Sequence, residues 1–239
     1  MKKRTKNKLI GLLVAAFIAF GAYGLTSYTD LFSGTETRIP ETAVTLDQLP
    51  EYGGSPYITI NSNVPNFTAA DIERLSAETY EYYSELDSLG RCGYVEACVG
   101  TETMPTEERG SIGMIKPSGW HTVRYDFVEG KYLYNRCHLI GFQLTGENAN
   151  ERNLITGTRS MNVDGMLPFE EFIADYVRKT GNHVMYRVTP IFEEGNLLAN
   201  GVQMEAQSVE DDKVSFNVFV YNVQQGVVID YATGESYAE

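Results

Sequence analysis

Tyr134-Asn135-Arg136-Cys137-His138-Leu139-Ile140-Gly141, with Asn153 and Asn162 downstream, is the stretch on which the reading of this chain turns. The chain has three histidines. One of them, His138, follows an arginine and precedes two asparagines. A neutral imidazole takes a proton from water near neutral pH. A guanidinium holds a phosphate oxygen in a planar fork, and a carboxamide oxygen ligates a hard divalent cation. Base, phosphate clamp and metal ligand are the parts needed to hydrolyse a phosphodiester. A thiol enzyme built on Cys137 and His138 is excluded on a strand, because consecutive side chains point to opposite faces.

Outward from this motif, charge is unevenly spread. The net charge of −13 comes from two flanks: residues 28–90 carry two basic against eleven acidic residues, and 191–239 one against nine. Residues 91–190, which hold the motif, carry eleven basic and twelve acidic residues. An acidic protein is a poor non-specific binder of polyanions, since phosphate contacts come from Lys and Arg. The arginines around the motif, Arg124, Arg136, Arg152 and Arg159, therefore predict a local basic cleft on an acidic body.

The N-terminus reads as an address. Lys2, Lys3, Arg4, Lys6 and Lys8 precede an uncharged, mostly apolar run from Leu9 to Leu25. Residues 1–27 are expected to be a membrane anchor or a cleaved signal peptide, which puts the rest of the chain outside the cytoplasm, membrane-bound or secreted. Residues 28–55, mixing Thr, Ser, Pro, Gly and acids, read as a tether, and 56–239 as a single domain. Export favours a small disulfide loop between Cys92 and Cys98, with two buried thiols as the alternative. Zinc is disfavoured because no second Cys/His pair stands at ligand spacing.

Tyr57–Ile60 and the aromatic run Thr79–Tyr83 suit strands, and Thr68 with Asp71 suits a helix N-cap. Residues 100–120 form a long polar loop ending near Trp120 and His121. Pro168–Lys179 carries Phe169, Phe172, Ile173, Tyr176 and Val177 at helical spacing, with Gly181 to end it. Strands follow at Val184–Phe192, Val202–Val209, Val214–Val223 and Val227–Tyr231. The fold class is α+β with a mainly antiparallel sheet.

Asn135-Arg136-Cys137-His138-Leu139-Ile140-Gly141, followed by Asn153-Leu154-Ile155-Thr156-Gly157-Thr158-Arg159-Ser160-Met161-Asn162, resembles the DNA/RNA non-specific endonuclease family. It is similar above all to the membrane-tethered DNA-entry nucleases of Gram-positive bacteria. That family carries Asp-Arg-Gly-His and two asparagines nine residues apart on a ββα-metal (His-Me finger) core. The similarity runs from about Gly119 to the ending Asp230-Tyr231-Ala232-Thr233-Gly234-Glu235, and takes in the lysine-rich leader. It implies His138 as general base, Asn162 as ligand of one Mg²⁺ (Mn²⁺ substituting), and Asn153 as the residue that orients His138 or its backbone. It also implies Arg136 as a phosphate contact and Glu170 as organiser of the metal's water shell.

Two positions depart from that pattern: Asn135 replaces the acid and Cys137 the glycine, where a side chain must now fit. Geometry adds a condition. Asn153 and Asn162 face opposite ways on one helix, so a helix has to start between them, with Gly157 a reasonable break. Gly165 and Pro168 then argue against a straight helix from Asn162 to Glu170. Glu171 is an alternative there, and Glu170 itself has a rival role as a first-turn acid. The expectation is an extracytoplasmic, Mg²⁺-dependent endonuclease acting on DNA, with RNA as a second substrate. The alternative is a catalytically weak nucleic-acid receptor using the same cleft.

Overall fold

The computed structural model describes residues 45–76 and 79–239. The expected leader and the first part of the expected tether lie outside them. Alternating apolar and polar residues build a six-stranded antiparallel sheet, ordered β1 (Tyr57–Thr59), β8 (Ser215–Tyr221), β7 (Gly201–Ser208), β6 (Val184–Ile191), β3 (Val95–Val99), β2 (Glu81–Tyr83). Val95, Ala97 and Val99 of β3 lie on one face with Val184, Tyr186 and Val188 of β6 and Met204 of β7. Against that face packs α3 (Leu167–Thr180) through Phe169, Ile173, Ala174 and Val177.

The other face carries a polar network instead. Glu96, fully buried, accepts hydrogen bonds from Arg74 Nε and Arg187 Nε at 2.9 Å each and from the Tyr80 hydroxyl at 3.0 Å. Arg74 belongs to α1 (Ala69–Leu75), which opens on the expected capping box of Thr68 and Asp71. Leu46 and Leu49, from the segment read as tether, pack beside Phe219 and Tyr221, and the Tyr221 hydroxyl donates to the Pro50 carbonyl at 2.9 Å.

Beside the sheet stands the unit that carries the motif. β4 (Tyr134–His138) pairs antiparallel with β5 (Leu154–Thr158), and the chain then turns helical from Arg159 to Thr180. A short helix α2 (Phe142–Thr145) leaves β4, and the β9–β10 ribbon (Val227–Ile229 with Ser236–Ala238) closes the far side. Gly234 in that ribbon's turn accepts a hydrogen bond from Tyr134 at 3.0 Å, so the C-terminal ending braces β4.

Two expectations are corrected here. No disulfide joins Cys92 to Cys98; both are buried thiols. Cys92 packs with Val95, Ala97 and Val99 in the core, while Cys98 sits one residue out of phase with them on β3, so the strand's alternation sends its side chain to the opposite face. With Cys92 in the core just before β3 and Cys98 on the far face of that strand, the two thiols lack the short Cβ–Cβ approach a disulfide needs.

The helix from Asn162 to Glu170 is also not interrupted. Met161–Met166 forms a π-helical turn that runs straight into α3, with the Leu167 N–H donating to the Asn162 carbonyl five residues back. Pro168 has no N–H for an α-helical bond, and the wider turn upstream absorbs that gap. Gly165 lets the turn close on β8, for a Cβ there would run into Val220.

Candidate active site

β4 and β5 deliver the chemistry because their pairing sets His138 opposite Leu154, one residue past Asn153. Asn153 is fully buried and does not touch the imidazole. Its Oδ1 accepts from the Ile140 N–H at 2.9 Å and its Nδ2 donates to the Ile140 carbonyl at 3.0 Å. The carboxamide thus acts as a surrogate strand partner for the backbone two residues beyond His138. A whole strand separates Asn153 from Asn162, and Gly157 lies within it rather than at a helix break. Gly157 is small for another reason: an added Cβ would stand 2.5 Å from Cys137 Sγ and 2.6 Å from Met161 Cε. The bulk at Cys137, where the resembled pattern has glycine, is accommodated across the ribbon at Gly157.

His138 is 6 % exposed, and its two ring nitrogens have distinct partners. Nε2 lies 2.8 Å from the Asn148 carbonyl, which can only accept, so Nε2 carries the proton. Nδ1 lies 3.2 Å from Arg109 Nη2, which can only donate, so Nδ1 presents its lone pair. Burial pulls the ring's pKa down to about 4; the Asn148 bond opposes this and the Arg109 charge adds to it. The imidazole is therefore neutral near pH 7, with one basic nitrogen facing the cleft.

That cleft has a volume of about 670 Å³ and is lined by Arg109, Arg136, Arg159, His138, Asn162 and Glu170 among others. Three guanidiniums against one carboxylate make it the basic cleft expected on an acidic body, though with a different membership. Arg152 turns away to pair with Glu85 at 2.6 Å, and Arg124 stacks on Tyr132, its guanidinium 4.9 Å from the ring centre. Arg109 and the Asn148 carbonyl were not singled out from sequence. Neither falls in the motif, and both sit in loops that only folding brings to His138.

Eight residues of regular α-helix would set Asn162 and Glu170 about 80° apart around the axis; the π turn rotates each residue by less and draws them towards one face. Glu170 reaches the cleft beneath Gly141, whose missing side chain leaves the space its carboxylate occupies. Burial raises the Glu170 pKa to about 8, against the opposing Gly141 N–H bond and Arg109 charge. Glu170 Oε1, Arg159 Nε and Asn135 Nδ2 are all buried, without a hydrogen-bond partner, and in residues that line this cleft. Unpaired buried polar atoms are costly, so such a cluster marks a place built for a ligand. Two donors and an acceptor, beside the carboxamide of Asn162, fit an oxyanion together with a hydrated hard cation.

Comparisons with known proteins point to nucleases. The chain is 23 % identical to a deoxyribonuclease of Streptococcus dysgalactiae subsp. equisimilis, over 98 % of this chain and 86 % of the relative. Its fold matches the crystal structure of NucA from Streptococcus agalactiae with magnesium ion bound, at a TM-score of 0.68 and 25 % identity over 78 % of this chain and 91 % of that one. It also matches the Sda1 nuclease with bound zinc ion, at 0.64 and 23 % identity over 82 % and 100 %. Residues 72–210, more than half of the chain, match the model of the DNA/RNA non-specific endonucleases, and the chain belongs to that family of metal-dependent phosphodiester hydrolases.

Proposed function

We propose that this endonuclease cleaves DNA, and RNA as a second substrate, with Mg²⁺ and with His138 as general base. The observation that carries the reading is the neutral His138 set in one cleft with three unpartnered buried groups, Glu170 Oε1, Arg159 Nε and Asn135 Nδ2. Asn162 would hold the cation directly and Glu170 would hold its water shell. When bound, the cation neutralises charge that builds on the phosphate in the transition state. His138 Nδ1 takes a proton from the attacking water as its oxygen bonds to phosphorus. The phosphorus–O3′ bond breaks, leaving a 5′-phosphate end and a 3′-hydroxyl, which takes its proton from solvent. The Nε2–H bond to Asn148 fixes the ring's tautomer throughout. Arg159 Nε and Asn135 Nδ2 supply donors to the phosphate oxygens, and neither reads base identity, which accounts for sequence tolerance.

Asn162→Ala tests the metal assignment. The variant is expected to need at least about tenfold more Mg²⁺ for half-maximal cleavage, the lower end of the cost of losing a metal-site residue. An unchanged Mg²⁺ requirement removes Asn162 from that role. The basic residues at 2–8 and the uncharged run at 9–25 support a site of action outside the cytoplasm, at the membrane or secreted.

A further inference from the structure

Arg136, the arginine of the motif, points its guanidinium at the long loop that precedes it. Its Nη2 donates to the Gly113 carbonyl at 3.0 Å, its Nε donates to the Ile115 carbonyl, and its plane lies 3.9 Å from the ring centre of Trp120. Among the described residues, these are the hydrogen bonds that tie residues 111–117 to the body of the protein. The segment's other hydrogen bonds are internal turns, Gly113 N–H to Ser111 Oγ and Ile115 N–H to the Ile112 carbonyl, or the Trp120 N–H to the Pro117 carbonyl. Apolar burial helps only in part: Ile112, Ile115 and Pro117 are half-buried, while Met114 is 69 % exposed and Ser111, Gly113 and Lys116 are exposed. The next anchor is Ser118, whose hydroxyl donates to the Leu197 carbonyl at 2.6 Å. Two residues before the pinned segment, across Gly110, stands Arg109, the residue that meets His138 Nδ1.

Resting on the nuclease reading above, we infer that Arg136 is a positioning residue: it pins the 111–117 loop and thereby sets where Arg109 stands over His138. The planar fork suits two carbonyls offered by successive turns, and a flat face suits the indole; an ammonium matches neither. The contact between Arg109 and the Nδ1 lone pair closes the base in the resting enzyme. An incoming phosphate, a stronger partner for a guanidinium than an imidazole nitrogen, draws Arg109 off and opens it. Arg136 acts on cleavage through this placement and not by holding phosphate itself.

The test uses the full chain as wild type, Arg136→Ala, Arg136→Lys, Arg109→Ala and the double variant. Trypsin cuts after Arg109, and the rate at the Arg109–Gly110 bond, followed by mass spectrometry without nucleic acid, reads the loop directly. Arg136→Ala is expected to speed that cut at least about tenfold, with Arg136→Lys in between. On linear duplex DNA, Arg136→Ala is expected to lose about 100-fold in kcat/KM, the scale of a misplaced reacting group. The double variant is expected to be no slower than Arg109→Ala alone, because both changes remove one placement. Unchanged protection of the Arg109–Gly110 bond in Arg136→Ala, or losses that multiply in the double variant, overturns the proposal. A wild type that cuts no DNA fails the nuclease reading instead, and the tryptic comparison still decides the pinning.

Discussion

Burial, with a smaller part from the Arg109 charge, disfavours a proton on His138 and moves its pKa from 6.5 down to about 4. Folding therefore favours the neutral ring, and the unfolded chain binds the extra proton between those two values. The stability this ring contributes is complete above about pH 6.5 and is lost as pH falls through about 4. Cleavage should follow the same group, with kcat/KM flat from about pH 6 to 8 and falling towards pH 4. A pH–rate profile that declines around 6.5 would mean the ring titrates as if solvated, against the geometry described. Glu170 behaves oppositely. Burial raises its pKa from 4.5 to about 8, so folding favours the protonated acid and stability is lost as pH rises through about 8. With EDTA present, the wild type should lose Tm between about pH 5 and 8 more steeply than Glu170→Gln. Identical profiles would show that Glu170 is not the group responsible. Added Mg²⁺ gives the anion a partner and should flatten the wild-type curve.

At the scale of elements, the ββα unit depends on Asn153 more than its distance from the chemistry suggests. Asn153→Ala strips both the N–H and the carbonyl of Ile140 of their side-chain partner inside the protein. Each buried group left unpaired costs about 1–3 kcal/mol, so denaturant unfolding should show a loss of about 2–6 kcal/mol. A loss under about 0.5 kcal/mol would mean that water or a local shift replaces the carboxamide. Much of this unit was legible in the sequence. The spacing of Asn153 and Asn162 required a helix to start between them, and one does, but at Arg159, after the strand Leu154–Thr158, rather than at Gly157. Gly165 and Pro168 suggested an interrupted helix because an α-helix tolerates neither well; a π turn accommodates both, and no residue pattern announces one. The helix over Leu167–Thr180 and the strands after it follow their 3.6- and 2-residue periodicities closely, because their apolar faces meet one core. The expected disulfide failed for a similar reason, since compartment and spacing say nothing about which side of the sheet each thiol occupies.

For the whole molecule, the net charge of −13 sits uneasily with a polyanionic substrate until it is resolved in space. Arg109, Arg136 and Arg159 gather on one cleft, while the excess acid belongs mainly to residues 28–90 and 191–239. The sequence placed Arg136 and Arg159 there through their closeness to the motif. It missed Arg109, which the long loop before the motif carries to His138, and included Arg152, which lies just before β5 and pairs with Glu85 instead. Legibility therefore ended where the site is assembled from loops. The most direct test of the account is plasmid digestion by the purified full chain, wild type beside His138→Ala, each with Mg²⁺ and with EDTA. The account predicts Mg²⁺-dependent nicking that EDTA abolishes and that the folded His138→Ala variant lacks by a factor of at least about 100, the scale of a general base. Nicking by His138→Ala at the wild-type rate, or DNA binding by the wild type without any cleavage, would contradict it.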